Sequence, residues 1–197
     1  MLSHLSFLAL EALLPAVVLA AAAALLLRFV WKEPRGKRML LQEIFVLFLL
    51  GVLTVTGVPS IRHLTLDATI QWIPFSEVPQ GLPGSLVQPV LNAILFVPLG
   101  ILLPALWDNY RVWWRTLLFG GGLSLCIEVL QLFNFRTTDV DDLLCNALGT
   151  LLGWSLFRLF SHPDRRAPAG SSKPGPLALC LLVLLLNFFV FPWLAPA

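Results

Sequence analysis

The chain has 197 residues, 58% of them apolar and only 12% charged, with a mean hydropathy of +0.85. That composition excludes an ordinary soluble globule and points to one compact helical protein of the membrane. A net charge of +2 is too small to suggest a nucleic-acid partner, and Cys126, Cys145 and Cys180 lie inside apolar runs as packing residues, with no disulfide framework or zinc spacing.

The first apolar run, from about Phe7 to Trp31, is long enough to cross a hydrocarbon core of roughly 30 Å and too long for a signal-peptide core. Arg28, Lys32, Arg35, Lys37 and Arg38 follow it with one acid, Glu33, among them. The positive-inside rule places that loop in the cytoplasm and the N-terminus outside. A second span is expected from about Glu43 to Val58, ending at Pro59.

Residues 60–88 form a long connection with Arg62 as its only Lys or Arg. Leu64, Leu66, Ala68, Ile70 and Trp72 alternate with polar residues as in a half-buried strand, while Ile61, Leu64, Ala68 and Trp72 equally fit one face of a helix. Pro74, Pro79, Gly81, Pro83 and Gly84 then mark turns.

A third span, about Pro89 to Trp107, carries Asn92, Pro98, Gly100 and Pro104. Asp108, Arg111 and Arg115 with Trp107, Trp113 and Trp114 form a basic, aromatic turn at the interface. The fourth span, about Thr116 to Phe135, includes the triplet Gly120, Gly121, Gly122. The fifth, about Asp142 to Phe160, presents Gly149 and Gly153 as a small-residue face for close helix contact. A Pro, Gly and Ser-rich linker with Arg165, Arg166 and Lys173 leads to a last apolar run, Leu177 to Leu194.

The expected fold is therefore an all-α, polytopic membrane helical bundle of about six transmembrane helices, with a long outer loop between helices 2 and 3. Its expected segments are 1–60, 61–165 and 166–197. With both termini outside, eleven of the thirteen Lys and Arg residues fall in cytoplasmic loops or at cytoplasmic helix ends, which leaves only Arg62 and Arg136 on the outer side.

The outer side then holds the densest polar stretch of the chain, Glu128 to Asn146. Charged groups beside a hydrocarbon core are costly, so such a cluster marks a functional site. Glu128 and Gln131 are neighbours on one helical face, and Asp142, Asn146, Gly149 and Gly153 share another. Glu128 lies roughly 10 Å from the outer end of its span by the helical rise, and Asn146 and Asn92 lie shallower. The three helices imply a shallow polar pocket that opens outward. Competing structural roles are helix capping by Thr138, Asp139 and Asp142, interhelical hydrogen bonding by Asn92 and Asn146, and a pairing of Arg136 with Asp139. Asp141 is expected to face solvent.

The ordered set Asn92-Ala-Ile-Leu-Phe-Val-Pro-Leu-Gly100, Glu128-x-x-Gln131 and Arg136-x-x-Asp139-x-x-Asp142-x-x-x-Asn146-x-x-Gly149 resembles the VanZ-like family of bacterial membrane proteins, over about residues 70 to 160. Trp72-Ile-Pro74-Phe75 resembles an element that precedes the family's first strong motif. The resemblance implies a multi-pass protein of the bacterial cytoplasmic membrane and a link to teicoplanin-type glycopeptide resistance. Carried over, the family's polar pattern falls on Asn92, Glu128, Gln131, Arg136, Asp139, Asp142 and Asn146.

Two readings follow. In one, the pocket binds an anionic lipid head group or a lipid-linked cell-wall precursor, with Arg136 at the phosphate and Asn92, Gln131 and Asn146 as hydrogen-bond partners. Its catalytic form uses Glu128 as general base and Asp139 or Asp142 to hold Mg²⁺ or Ca²⁺, since hard cations take carboxylate oxygens. His4, His63 and His162 are scattered, which disfavours acyl chemistry through a serine or cysteine nucleophile. In the other reading the polar set locks the helices of a non-catalytic membrane component that recruits a partner. A transporter is a weaker third option, because neither inverted repeats nor a polar path near the midplane is visible.

Overall fold

The computed structural model describes residues 36–59, 61, 64, 70–71, 87–133, 138–161 and 175–190. The expected first span and Arg136 lie outside these residues. The chain divides into two compact units, one made of Met1–Leu64 with Ser172–Ala197 and the other of Thr65–Ser171.

In the first unit, helix α1 spans Lys37–Thr56 and starts about one and a half turns before the expected boundary. It stops because Gly57 takes the left-handed conformation (φ 68°), which lets the amides of Gly57 and Val58 return to the carbonyl of Leu53. Thr54 and Thr56 donate their hydroxyls to the carbonyls of Leu50 and Val52, each at 2.8 Å, so neither brings an unmatched polar group to an apolar setting. α1 buries Phe45, Val46, Leu49, Leu50 and Leu53 and packs on the helix near the end of the chain. That helix, numbered α5 in chain order, spans Pro176–Leu185 with Pro176 in its first turn. It passes into a π-helical turn, Leu186–Val190, where the Phe188 carbonyl accepts the Ile61 amide at 3.2 Å. The Pro176–Val190 helix falls on the expected sixth span, whose last residues lie outside the described residues.

The second unit holds strand β1 (Ile70–Gln71), helices α2 (Val87–Leu106), α3 (Trp113–Gln131) and α4 (Val140–Phe160), and strand β2 (Thr138–Asp139). A 3₁₀ turn, Asp108–Arg111, joins α2 to α3 at the expected basic and aromatic turn. β1 and β2 pair in parallel, Ile70 with Thr138 and Gln71 with Asp139. At those two residues the long connection is extended, as the strand reading required, and it is fastened to the start of α4. Among the described residues the fold is all-helical apart from this two-residue bridge.

α4 packs on both α2 and α3, and the close approach to α2 is made by glycine. A Cβ at Gly149 would stand 2.0 Å from the Ala93 carbonyl oxygen, and one at Gly153 would stand 2.0 Å from that of Val97. Gly100 answers from the α2 side, where a Cβ would meet the Thr150 carbonyl at 2.1 Å. Backbone therefore lies on backbone, the contact that small residues permit between membrane helices.

By length and composition three described helices can cross a membrane: α1, α2 and α4. α3 has 19 residues but carries Arg115, Glu128 and Gln131 and falls short of the same apolarity.

Candidate functional site

The buried face of α3 consists of Thr116, Gly120, Ser124, Ile127, Glu128 and Gln131. Only one of these is a large apolar residue, while Leu118, Leu125 and Val129 are exposed. α4 repeats the pattern: Asp141, Cys145, Asn146, Gly149, Thr150 and Gly153 are buried, and Leu144, Leu148, Leu152, Leu156 and Leu159 are exposed. A helix in water buries its apolar stripe. Here polarity points inward and hydrocarbon outward, the arrangement that a lipid solvent favours.

Two rows of α4 carry the polar groups, not the single face expected from spacing. Asp142, Gly149 and Gly153 look to α2, where Asn92 Nδ2 donates a short hydrogen bond to Asp142 Oδ1. Gln88 Nε2 donates to Asn92 Oδ1 at 3.3 Å, one turn earlier on α2. Asn146 and Thr150 look instead to α3. Asn146 Nδ2 donates to Ser124 Oγ at 2.9 Å, and the side chain of Thr150 fills the space above Gly120. Thr150 Oγ1 donates to the Asn146 carbonyl at 2.8 Å, which joins the two residues of this row.

Ser124 is fully buried and Asn146 is 3% exposed, yet Asn146 Oδ1 finds no hydrogen-bond partner among the described residues. The Ser124 hydroxyl can donate or accept, so whichever way the Asn146 amide is turned, one half of it stays unmatched. A buried polar atom left unmatched costs about 1–3 kcal/mol. Glu128 and Gln131, both buried, continue the α3 row one and two turns beyond Ser124.

Of the sequence-predicted residues, Asn92 of α2 and Asp142 of α4 meet directly, Asn146 of α4 meets Ser124 of α3, and Glu128 and Gln131 are buried on that same α3. Asp141 corrects an expectation, because it is buried and does not face solvent. The side chains of Arg136 and Asp139 lie outside the described residues. Ser124, Thr150 and Gly120 were missed. Their signal was present, since Gly120, Ser124 and Glu128 repeat at intervals of four, as do Asn146 and Thr150. Among the described residues no three His, Cys, Asp or Glu side chains converge. Of the two candidate cation ligands, Asp142 is the one whose side chain is placed, and it is engaged by Asn92.

Membrane-length apolar helices, inward polarity and a polar row shared by three helices define a helical membrane protein with a buried polar network. The sequence model of the VanZ/LLP1 family matches residues 44–161, well over half of the chain, and the chain belongs to that family. The match begins in α1, earlier than the motifs alone indicated, and ends with α4. No curated protein and no solved structure matches the chain.

Proposed function

We propose that the polar row of α2, α3 and α4 lines an outward-facing pocket that binds a lipid head group or a lipid-linked cell-envelope precursor in the outer leaflet of the bacterial cytoplasmic membrane. The observation that carries this reading is the buried, unmatched amide oxygen of Asn146, whose amide nitrogen meets Ser124 on the α3 row that Glu128 and Gln131 continue. A protein with no use for that atom gains by replacing it with an apolar group. The charge asymmetry of the loops supports the outward orientation, and Arg136 supplies the cation for a phosphate. In the catalytic form of the reading Glu128 is the general base, and Asp139 or Asp142 holds Mg²⁺ or Ca²⁺. Teicoplanin-type antibiotics act on cell-wall precursors outside the membrane, so altered teicoplanin susceptibility belongs to the same reading.

The test is mass spectrometry of lipids that co-purify with wild type, Asn146→Leu and Glu128→Gln, followed by incubation of each with a lipid-linked cell-wall precursor, with and without Mg²⁺. Retention of a head-group-bearing lipid or precursor by wild type, reduced at least about tenfold in folded Asn146→Leu, is the expected result. A new product formed by wild type and not by Glu128→Gln identifies turnover. Equal retention by all three variants overturns the pocket.

A second reading rests on the interhelical bonds Asn92 to Asp142 and Asn146 to Ser124, which tie α4 to both neighbours. As a structural lock, Asn146→Leu lowers stability by about 0.6–1.7 kcal/mol, the range for such bonds in membranes, and leaves lipid retention unchanged.

A further inference from the structure

The opposite end of the same three helices is built from arginine and tryptophan. Trp154 Nε1 donates to the Arg111 carbonyl at 3.2 Å, which pins the 3₁₀ turn to α4. Thr116 Oγ1 donates to the Tyr110 carbonyl at 2.5 Å, and Tyr110 packs edge-on to Phe119 with ring centroids 5.4 Å apart. On this fixed rim two guanidinium groups rest on indoles. Arg115 Cζ lies 5.1 Å from the centre of the Trp114 ring, and Arg158 Cζ lies 5.9 Å from that of Trp154.

Among the described residues the charges of the rim do not cancel. Asp108 is occupied by Arg111 at 3.2 Å, and no other carboxylate among the described residues forms an ion pair with Arg115 or Arg158. Arg158 suits the last turn of α4, but Arg115 stands in the first turn of α3, where the positive end of the helix disfavours a cation. Stacking on a ring orients a guanidinium and leaves its N–H groups free to donate. Trp113 and Trp114 are exposed beside them, and Leu118, Leu159 and Phe160 present hydrocarbon to the same surroundings.

We infer that this rim binds anionic phospholipids, with Arg115 and Arg158 each a ligand for head-group phosphate and the tryptophans at the level of the head groups. Guanidinium matches phosphate in a bidentate manner, and tryptophan favours the membrane interface. The flanking apolar side chains select a lipid over free phosphate, because they give the acyl chains a surface to cover. Arg158 is twelve residues beyond Asn146 on α4, about 18 Å by the helical rise. The rim is therefore separate from the polar network and independent of its proposed role.

The experiment is a native mass-spectrometry titration of the full-length protein in detergent with phosphatidylglycerol, phosphatidylcholine or inorganic phosphate. Wild type is compared with Arg115→Gln/Arg158→Gln and with Arg115→Lys/Arg158→Lys. Wild type is expected to bind phosphatidylglycerol in preference to phosphatidylcholine. At about fivefold per arginine near an anionic lipid surface, the glutamine pair loses about twenty-five-fold in apparent affinity, while the lysine pair keeps part of it. Wild type without preference for phosphatidylglycerol overturns the inference, and so does a glutamine pair that binds it as wild type does. Competition by inorganic phosphate at equal concentration overturns the choice of a lipid. The wild-type comparison decides the matter even where the glutamine pair fails to fold.

Discussion

α4 meets its two neighbours by different devices. Toward α2 it offers Gly149 and Gly153, and main chain lies on main chain. Toward α3 it offers Asn146 and Thr150, whose side chains meet Ser124 and Gly120. A carbonyl held in a helix cannot turn aside, whereas a hydroxyl or an amide can change rotamer. The α2 contact is therefore the rigid one and the α3 contact the adaptable one. The unmatched Asn146 oxygen lies on the adaptable side.

The largest effect is expected from testing the rigid side. In Gly149→Ala or Gly153→Ala the new methyl group stands 2.0 Å from a backbone oxygen, so the helices must separate along their length. Overpacking typically costs about 1–3 kcal/mol, and a clash with main chain that cannot turn aside belongs at or beyond the upper end. Thermal unfolding in detergent, read by fluorescence-detected size exclusion, is expected to show loss of the monodisperse folded protein. A midpoint unchanged from wild type for either variant would mean that α2 and α4 are not in backbone contact, and the contrast between the two interfaces would disappear.

Gly149 and Gly153 were legible in the sequence because membrane helices reward small residues spaced by four. Asn92, Glu128, Gln131, Asp142 and Asn146 were legible because polar groups are rare among so many leucines. Their partners were harder to see. Ser124 and Thr150 are ordinary in a membrane helix, where a hydroxyl can bond back to its own turn, and only their spacing from Glu128 and Asn146 marks them. The division of Asp142 and Asn146 between two neighbours depends on where α2 and α3 lie around α4, which periodicity within one helix cannot encode. Asp141 was misplaced for the same reason: an acid in the first turn of a helix suits the dipole in water or in a core. At residues 70 and 71 the alternation pointed to the right extended backbone, but its parallel partner, Thr138–Asp139, is distant in sequence and carries no matching pattern.

A smaller effect is expected on the adaptable side. A Cβ at Gly120 would stand 2.4 Å from Thr150 Oγ1 and 2.6 Å from its Cγ2, and both are side-chain atoms. Gly120→Ala should cost about 1–2 kcal/mol, because Thr150 can rotate at the expense of its bond to the Asn146 carbonyl. Adding Thr150→Ala removes both clashing atoms and should restore part of the loss, with a coupling of about 0.5–3 kcal/mol between the two sites. No side-chain change can rescue Gly149→Ala in this way. If the double variant is no more stable than Gly120→Ala alone, the α3 contact is as rigid as the α2 contact.

The smallest effect separates the members of one triplet. Gly121 and Gly122 have nothing within 4 Å of a Cβ placed on them, although they adjoin Gly120 in an unbroken helix. Replacing either with alanine should change stability by less than about 0.5 kcal/mol as an exposed substitution, or raise it slightly through helix propensity. Thermal midpoints of Gly120→Ala, Gly121→Ala and Gly122→Ala, measured side by side, read this directly. Three equal losses would mean that some surface outside the described residues covers that side of α3. A loss confined to Gly120 assigns the need for glycine to the single position that faces Thr150, and leaves the other two open to the hydrocarbon around them.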